Sequence, residues 1–486
     1  MAYRMAKGAF WSFAGSLISR GLGLLATIAV ARILGKSGFG HLGMVQSTVG
    51  IFGSLAGFGL GLTALKHVAE FRSTNPERAG RIIGLSSAFS WLTSGVMSVV
   101  LVALAPWLAQ RTLAAPEMSG MLRAGSLLLL LGGVNGAQTG VLAGFEAFKT
   151  IARINVITGL ISFPVTFLGA WQWGVMGAVW ALVVNLAINC ALNFIAVRKE
   201  ADRAGVVLSC RGCLQELPLL WNYSLPAMMG GALASPASWI AGAILVNQPD
   251  GYAQMGIYNA VLRIKMVPEQ VLVILLTPLL PVLSETLGRR DLARFQKTSS
   301  AAFALSLLAT APFALVQIAL PLLTLLPYGR AYAGQFSVVQ WVMLDLAVIG
   351  LFTPFGSIIN SAGRMWFSFW YQLFWGLLCC ACSVLLIPRF GATGLAAAMA
   401  ISRAVMVAAS LLYLSHWDRE LLCGMPLARM GLMVSATALT CFFAGRCGSI
   451  WVGICGSLLA LLPLLLVKDQ LLRFRALMPS RRPEVV

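Results

Sequence analysis

Charged residues are scarce in this sequence: they make up 10% of its 486 residues, whereas soluble domains carry about 25%. This scarcity excludes an ordinary water-soluble fold. Catalytic signatures are also missing, because the chain has no phosphate-binding P-loop, no HExxH zinc motif and no paired acidic motif, and only three histidines. The longest predicted inner connection, residues 198–222, is too short for a catalytic domain. We therefore predict a protein that is not an enzyme and that uses no cofactor or metal.

The ten cysteines do not indicate a disulfide framework. Most of them lie within apolar windows, where cysteine commonly serves as a small packing residue. Cys210 and Cys213 form a lone CxxC motif, with no second pair and no nearby histidine. A zinc or redox site is therefore not favoured at this motif.

Long apolar runs are what the sequence has in abundance. Hydrophobic residues make up 59% of the chain, and the mean hydropathy is +0.84. Apolar windows of about 18 residues or more recur from end to end, which predicts transmembrane helices rather than strands. We predict an all-α polytopic membrane protein with fourteen transmembrane helices, over residues 11–34, 43–65, 83–108, 122–144, 154–172, 175–197, 223–247, 257–284, 301–325, 339–362, 367–387, 394–414, 430–446 and 450–467.

The net charge of +19 is explained by the connections between these spans. Lys and Arg are concentrated at both termini and in one set of loops, which includes residues 66–82, 198–222 and 285–300, whereas the opposite loops hold few. By the positive-inside rule we predict that both termini are cytoplasmic and that the basic loops contact anionic membrane lipids. Nucleic acid is not a predicted partner.

The two halves of the chain resemble each other at three places in the same order. The matching stretches are 37–43 with 250–256 at an offset of 213, 136–144 with 356–363 at 219 to 220, and 173–178 with 390–395 at 217. These matches predict an internal duplication of six spans. Because six is an even number, both copies insert the same way up, and the two lobes should be related by a pseudo-two-fold axis along the membrane normal.

The predicted duplication also sets the domain boundaries. We predict an N-terminal lobe over residues 1–197 and a cytoplasmic linker over 198–222, with an interfacial helix at Leu214–Tyr223. A C-terminal lobe follows over 223–414. Residues 415–486 are predicted to hold the last two spans and a basic cytoplasmic tail.

Four cations lie inside the predicted spans: Arg20, Arg263, Lys265 and Arg403. Arg20 lies about 13 Å from one end of its helix, and an arginine that faces lipid at such a depth costs at least about 2.5–3.5 kcal/mol. We predict that Arg20, Arg263 and Arg403 line a cationic cavity. Arginine suits a diphosphate there, because its planar fork donates two parallel hydrogen bonds to phosphate oxygens.

A structural interpretation of the same residues remains open. Arg20 or Arg263 would then pair with Asp345, and Arg403 would mark a helix end. Lys265 lies two residues from Arg263 and is predicted to point away from that site. Asp345 is also the candidate for binding a coupling ion, and Glu269 is the other carboxylate inside a span. Positive groups outnumber these two carboxylates, which favours an anionic substrate.

Polar uncharged residues inside the spans allow two interpretations. They either bind sugar hydroxyls or hold helices together by hydrogen bonds. A stripe at helical spacing consists of Asn185, Asn189 and Asn193. The further candidates are Asn135, Gln138 and Asn259.

Prolines in predicted spans 7 and 8 are candidate hinges, because proline removes a helical hydrogen bond and permits a bend. The candidates are Pro226, Pro236 and Pro268. Static kinks around a cavity are the alternative.

Several short motifs point to a family. They are ARILG at 31–35, GFG at 38–40, KHVAE at 66–70, PERAG at 76–80, and the Gly-x-x-Gly stretches at 174–177 and 391–394. Together with the duplication, they resemble the polysaccharide transporter branch of the multidrug/oligosaccharidyl-lipid/polysaccharide (MOP) exporter superfamily. The resemblance covers essentially the whole chain, and its motifs are architectural.

The resemblance implies a V-shaped pair of six-helix lobes around a central cavity that works by alternating access. It implies a flippase in the bacterial cytoplasmic (inner) membrane that moves an anionic undecaprenyl-pyrophosphate-linked oligosaccharide, such as an O-antigen, capsule or exopolysaccharide unit. Other glycan-assembly proteins are possible partners. The alternatives are a multidrug or small-molecule exporter of the same superfamily, coupled to protons or sodium, and an integral-membrane enzyme of glycan assembly.

Overall fold

A computed structural model describes residues 2–57, 60–208, 212–217, 234–276, 279–289, 291–332, 334–361 and 365–417. Side chains are described within these ranges from residue 21 onward, except at 214, 234, 280, 281, 360, 365, 414 and 417. The regular structure of the described residues is helical, which confirms the predicted all-α class. The main helices are α1 (Ala2–Ala56), α2 (Leu60–Phe71), α3 (Pro76–Trp107), α4 (Met118–Gly144), α5 (Phe148–Arg203), α6 (Ala234–Val246), α7 (Gly251–Leu276), α8 (Leu279–Gly288), α9 (Leu292–Ala319), α10 (Phe336–Ser361) and α11 (Met365–Trp417).

Two helix starts follow directly from local sequence. Asn75 precedes α3 and its side-chain oxygen accepts a hydrogen bond from the Arg78 backbone N–H at 3.0 Å. Asp291 caps α9 in the same way, with the Arg294 backbone N–H at 3.0 Å. Such caps satisfy N–H groups that have no partner within the first helical turn.

Three long helices break at a glycine and continue in a new direction. Gly35 in α1 has φ 65° and ψ 178°, Gly174 in α5 has φ 58° and ψ −137°, and Gly391 in α11 has φ 57° and ψ −129°. A positive φ is easily adopted by glycine and costs other residues energy. These glycines therefore separate consecutive spans without a long loop, where the sequence predicts the breaks between spans 1 and 2, 5 and 6, and 11 and 12.

Equivalent positions of the predicted duplication share local geometry. Gly174 and Gly391 lie 217 residues apart and have nearly the same backbone angles. Just after these breaks, Gly177 packs against the carbonyl of Gly169, and Gly394 packs against that of Leu386. A Cβ at either glycine would collide with that carbonyl. The residues of each contact are again 217 apart, as two copies of one hairpin would be.

Among the described residues, seven helical segments are long and apolar enough to cross a membrane. They are Gly21–Ala56, Pro76–Thr112, Met118–Gly144, Phe148–Arg203, Leu292–Ala319, Phe336–Ile359 and Trp366–Tyr413. The protein is therefore a multi-pass helical membrane protein. Phe148–Arg203 and Trp366–Tyr413 each contain two predicted spans. Predicted spans 430–446 and 450–467 lie outside the described residues, so the number fourteen stays a prediction.

The chain divides into two compact units, Met1–Asn259 and Ala260–Val486, here called the N-terminal unit and the C-terminal unit. The N-terminal unit includes α6 and the first turns of α7, which the sequence analysis assigns to the C-terminal lobe. Its core joins α2, α3, α4 and α5 through Val68, Ile83, Val141 and Val197. In the C-terminal unit, α8, α9 and α10 pack around Leu283, Phe303 and Ile358.

The start of the predicted linker packs on α3. Gly80 contacts the carbonyl of Val207. Residues Cys213–Glu216 form a single 3-10 turn, and the buried Glu216 carboxylate lies 3.1 Å from Arg78 Nη2 and 3.5 Å from Arg81 Nη2. Residues 218–223 of the predicted interfacial helix lie outside the described residues.

Candidate functional site

The ionisable residues predicted in spans 8, 10 and 12 lie on three helices of the C-terminal unit. Arg263, Lys265 and Glu269 are on α7, Asp345 is on α10 and Arg403 is on α11. The structure brings four of the five side chains, all except Arg263, into one group, here called the charge cluster.

Asp345 is the centre of the charge cluster. Its side chain is 4% exposed, and its Oδ1 accepts a hydrogen bond from Arg403 Nε at 2.6 Å. Its Oδ2 accepts a hydrogen bond from Lys265 Nζ. A carboxylate taken out of water is stable only when it is paired and hydrogen-bonded, and here each oxygen has a cationic donor.

Lys265 connects Asp345 to a second carboxylate. Its Nζ lies 3.3 Å from Glu269 Oε1, one helical turn further along α7. The Glu269 side chain is 27% exposed, so water screens this pair more than the pair at Asp345. With two cations and two carboxylates, the charge cluster is formally neutral.

An aromatic wall lies beside Arg403. The guanidinium carbon is 5.0 Å from the centre of the Trp375 ring, a cation–π distance. Tyr371 lies one helical turn before Trp375 on α11, and its ring stacks on Phe352 of α10 with ring centres 4.2 Å apart. The hydroxyl of Tyr371 and the indole nitrogen of Trp375 are buried and have no hydrogen-bond partner among the described residues. Two polar donors therefore accompany Arg403 in an apolar setting.

The partners of Asp345 differ from those that the sequence analysis considered. The structural interpretation paired Asp345 with Arg20 or Arg263, and it set Lys265 apart. In the structure Lys265 and Arg403 contact Asp345, whereas Arg263 is half-buried and interacts electrostatically with Tyr328. Residues two apart on a helix face different sides, so α7 presents Lys265 to α10 and turns Arg263 elsewhere.

Four further predicted residues are tested little by the structure. Arg20 lies within α1, and its side chain is outside the described residues. Pro226 is also outside them. Pro236 lies in the first turn of α6 and is half-buried, and Pro268 lies inside α7 and is buried. Their roles as cavity residue and hinges stay predictions.

The asparagine stripe forms a hydrogen-bonded group in the N-terminal unit, here called the amide network. Asn193 Nδ2 donates to Asn135 Oδ1 at 2.7 Å and to Asn189 Oδ1 at 2.8 Å. Asn189 Nδ2 donates to Thr158 Oγ1 at 3.2 Å. These bonds join α4 to both arms of α5, the helical stretches before and after the break at Gly174. This is the geometry of hydrogen bonds that hold helices together.

The remaining polar candidates lie apart from these bonds. Asn185 is half-buried on the second arm of α5. Gln138 Oε1 and Asn259 Nδ2 are buried and have no hydrogen-bond partner among the described residues. Asn259 packs directly against Gly43 of α1.

The sequence analysis underestimated three residues near the site: Lys265, Tyr371 and Trp375. For Lys265 a signal exists, because Glu269 follows it at the i, i+4 spacing that allows an ion pair. For the two aromatic residues there is none, since apolar helices contain many rings and only the packing selects these.

A protein family and individual curated proteins match this chain. Residues 5–287 match the family described as "Polysaccharide biosynthesis protein". The chain is 24% identical to the lipid III flippase of Escherichia coli (strain K12) over 411 residues, which are 81% of this chain and 94% of that protein. It is also 24% identical to the succinoglycan biosynthesis transport protein ExoT of Rhizobium meliloti (strain 1021), over 75% of this chain and 70% of that protein.

Solved structures share the fold. An inward-facing MATE family multidrug resistance transporter of the MOP superfamily superposes with a TM-score of 0.67 at 13% identity, over 88% of this chain and 99% of that one. The lipid II flippase MurJ, in an inward closed conformation, also gives a TM-score of 0.67, at 12% identity, over 96% of this chain and 99% of that one.

Proposed function

Because the chain belongs to the polysaccharide biosynthesis protein family, and is thus a membrane transporter of the MOP superfamily rather than an enzyme, we propose that it is a flippase for a lipid-linked oligosaccharide. The substrate is anionic, an oligosaccharide carried on undecaprenyl pyrophosphate, as in O-antigen, capsule or exopolysaccharide assembly. It crosses the cytoplasmic membrane of a bacterium from the inner to the outer leaflet by alternating access. Both termini of the transporter are cytoplasmic.

One observation carries this proposal. The match to the lipid III flippase extends over 94% of that protein, so the similarity concerns a whole transporter rather than one shared segment. ExoT, the other relative described above, is named for transport in the biosynthesis of another polysaccharide. A lipid-linked glycan is the substrate class that agrees with both names.

The proposed architecture has fourteen helices: two lobes of six and two further helices. The similar backbone angles of Gly174 and Gly391 support the duplication, as do the matching contacts of Gly177 and Gly394. The proposed lobes cover residues 1–197 and 223–414, and a pseudo-two-fold axis along the membrane normal relates them.

The charge cluster is the proposed diphosphate site in the C-terminal unit. Arg403 is 20% exposed at its side chain, against 8% for Lys265, so Arg403 is the more accessible cation. A diphosphate offers the same kind of acceptor oxygen as Asp345, with more charge. We infer that the headgroup competes with Asp345 for Arg403, whereas the cavity roles of Arg20 and Arg263 stay predictions.

Replacement of Arg403 tests the proposal in cells that lack the native protein. Arg403→Ala should reduce surface glycan at least about ten-fold, the effect of losing roughly 1.4 kcal/mol of headgroup binding, with lipid-linked precursor accumulating inside. Arg389→Ala is the matched control, because Arg389 is exposed on the same helix, and it should leave the glycan unchanged. Membrane protein levels are measured by immunoblot in parallel. Equal surface glycan in both variants at equal protein levels would refute the site.

A small-molecule exporter is the second candidate, and the neutrality of the charge cluster favours it. Asp345 and Glu269 balance the two cations, so the cluster presents no net positive charge. An exporter of cationic compounds would lower their accumulation in cells on expression and would leave surface glycan unaffected by gene deletion. Loss of surface glycan on deletion supports the flippase instead.

A further inference from the structure

Two segments that match in the sequence repeat contact each other within the N-terminal unit. Gly40 packs on the carbonyl of Tyr252, and Gly256 packs on the carbonyl of Lys36. A Cβ at either glycine would collide with backbone. The turn after Gly35 and the start of α7 therefore meet backbone to backbone, and this meeting is here called the glycine contact.

His41 and Tyr252 stack at the centre of the glycine contact. Their ring centres are 3.8 Å apart and the ring planes differ by 4°. His41 Nδ1 lies 2.9 Å from the carbonyl oxygen of Ser37. Because a carbonyl only accepts hydrogen bonds, Nδ1 carries the proton, and the other ring nitrogen, Nε2, has a lone pair when the ring is neutral.

That second nitrogen faces a carboxylate. His41 Nε2 lies 3.6 Å from Glu117 Oε1, in the segment that leads into α4. The same segment is tied to the glycine contact by two hydrogen bonds: Tyr252 Oη donates to the Leu113 carbonyl at 2.7 Å, and Asn247 Nδ2 donates to the Thr112 carbonyl at 2.7 Å. Three pieces of chain thus meet around one imidazole ring.

We propose that protonation of His41 tightens the glycine contact, so that this contact is a proton-sensitive clasp. In the neutral ring, the Nε2 lone pair and the Glu117 carboxylate repel each other. In the protonated ring, Nε2–H attracts the carboxylate, and the positive charge lies over the face of the Tyr252 ring. Histidine is the side chain whose ordinary charge change falls between about pH 5 and 8.

Two other ionisable side chains face the His41 ring. Glu117 faces it from the segment before α4, and Tyr252 faces it from α7. Burial, and secondarily the Glu117 charge, raise the pKa of Tyr252, which precedes predicted span 257–284, so its hydroxyl stays a donor. Lys36, on the same helix as His41, and Asp250, in the turn before α7, are the other charged residues of segments 36–43 and 247–256. From α5, the neighbouring stretch 173–180 brings no ionisable side chain.

On the predicted orientation, the connection between spans 1 and 2 lies outside the cell. The clasp would then respond to external pH and hold this end of the protein together more firmly as the outside becomes acidic. The proposal does not depend on the identity of the transported substrate. It concerns only the contact between residues 36–43 and 247–256.

Amide hydrogen exchange of the purified full chain in detergent tests the clasp. Protection of peptides covering 36–43 and 247–256 is compared at pH 5.5 and 7.5, after correction for the intrinsic exchange rates. An exposed ion pair stabilises by about 0.2–1 kcal/mol, so the expected gain in protection at pH 5.5 is about three-fold. His416→Gln, which alters an exposed histidine near the end of α11, is the matched control and should keep that gain.

Two variants remove the switch in different ways. His41→Gln takes away the titrating group and should abolish the gain, and Glu117→Gln removes the charge that protonated His41 would attract and should reduce it. Size-exclusion profiles and exchange in peptides of α9 identify any variant that is misfolded, in which case the other variant decides. An unchanged gain in a folded His41→Gln or Glu117→Gln protein, or no gain in the unmodified protein, would overturn the proposal.

Discussion

The amide network of the N-terminal unit and the charge cluster of the C-terminal unit both link helices, but through different kinds of interaction. The amide network links α4 with the two arms of α5 through neutral side chains. The charge cluster links α7, α10 and α11 through ions. Hydrogen bonds between neutral groups inside membrane proteins contribute about 0.6 kcal/mol on average, whereas removal of one partner from a buried ion pair costs about 3–5 kcal/mol.

This energetic difference indicates which of the two groups can drive a conformational change during a transport cycle. Loss of one side-chain hydrogen bond of the amide network costs little free energy of unfolding. The N-terminal unit should therefore tolerate substitution within this network. An ion in the C-terminal unit cannot lose its partner without a replacement charge. An anionic substrate, as proposed above, would supply such a charge to Arg403, and we therefore propose the charge cluster as the place that couples substrate binding to rearrangement.

The largest effect is expected for Asp345→Asn. This substitution leaves Lys265 and Arg403 without the carboxylate that pairs with both of them. We expect the free energy of unfolding to fall by about 3–5 kcal/mol, measured by unfolding in mixed SDS micelles. Glu269→Gln is the control, and it should cost less than about 1 kcal/mol because that carboxylate is partly exposed. Equal losses in both variants would contradict the central position of Asp345.

A smaller effect is expected for Asn193→Leu. The substitution removes the donor to Asn135 and Asn189 but leaves an apolar side chain in a buried position. We expect a loss of about 1 kcal/mol in the same unfolding measurement. Asn185→Leu, a change on the same stripe outside the observed hydrogen bonds, should cost less. If Asn193→Leu were as damaging as Asp345→Asn, the contrast between the two groups would be broken.

Many features of the fold can be predicted from the sequence because they depend on local chemistry. The apolar windows predict the helices, and the glycine pattern predicts the breaks at Gly35, Gly174 and Gly391, where a positive φ is needed. At the repeat offset of 217, Gly177 and Gly394 each pack closely on a backbone carbonyl. Each of these features involves only one residue or a short stretch of chain.

The charge cluster and the glycine contact are harder to predict from the sequence because they depend on how helices face each other. Helical spacing shows that Arg263 and Lys265 point in different directions, but not which of them faces α10. The structure gives that position to Lys265. The stack of His41 on Tyr252 joins residues more than 200 apart in the chain, and only the packing of the two repeat segments reveals it.

The central claim is transport of an anionic glycolipid, and reconstitution in liposomes tests it most directly. The purified protein is reconstituted with an undecaprenyl-diphosphate-linked oligosaccharide, and movement between leaflets is followed by the fraction of glycan accessible to an external glycosidase. We expect faster movement than in protein-free liposomes, and slower movement when Arg403 is replaced by Ala or when an uncharged lipid carrier replaces the diphosphate. Movement of the glycolipid at the rate of protein-free liposomes, in a preparation shown to be folded, would contradict it.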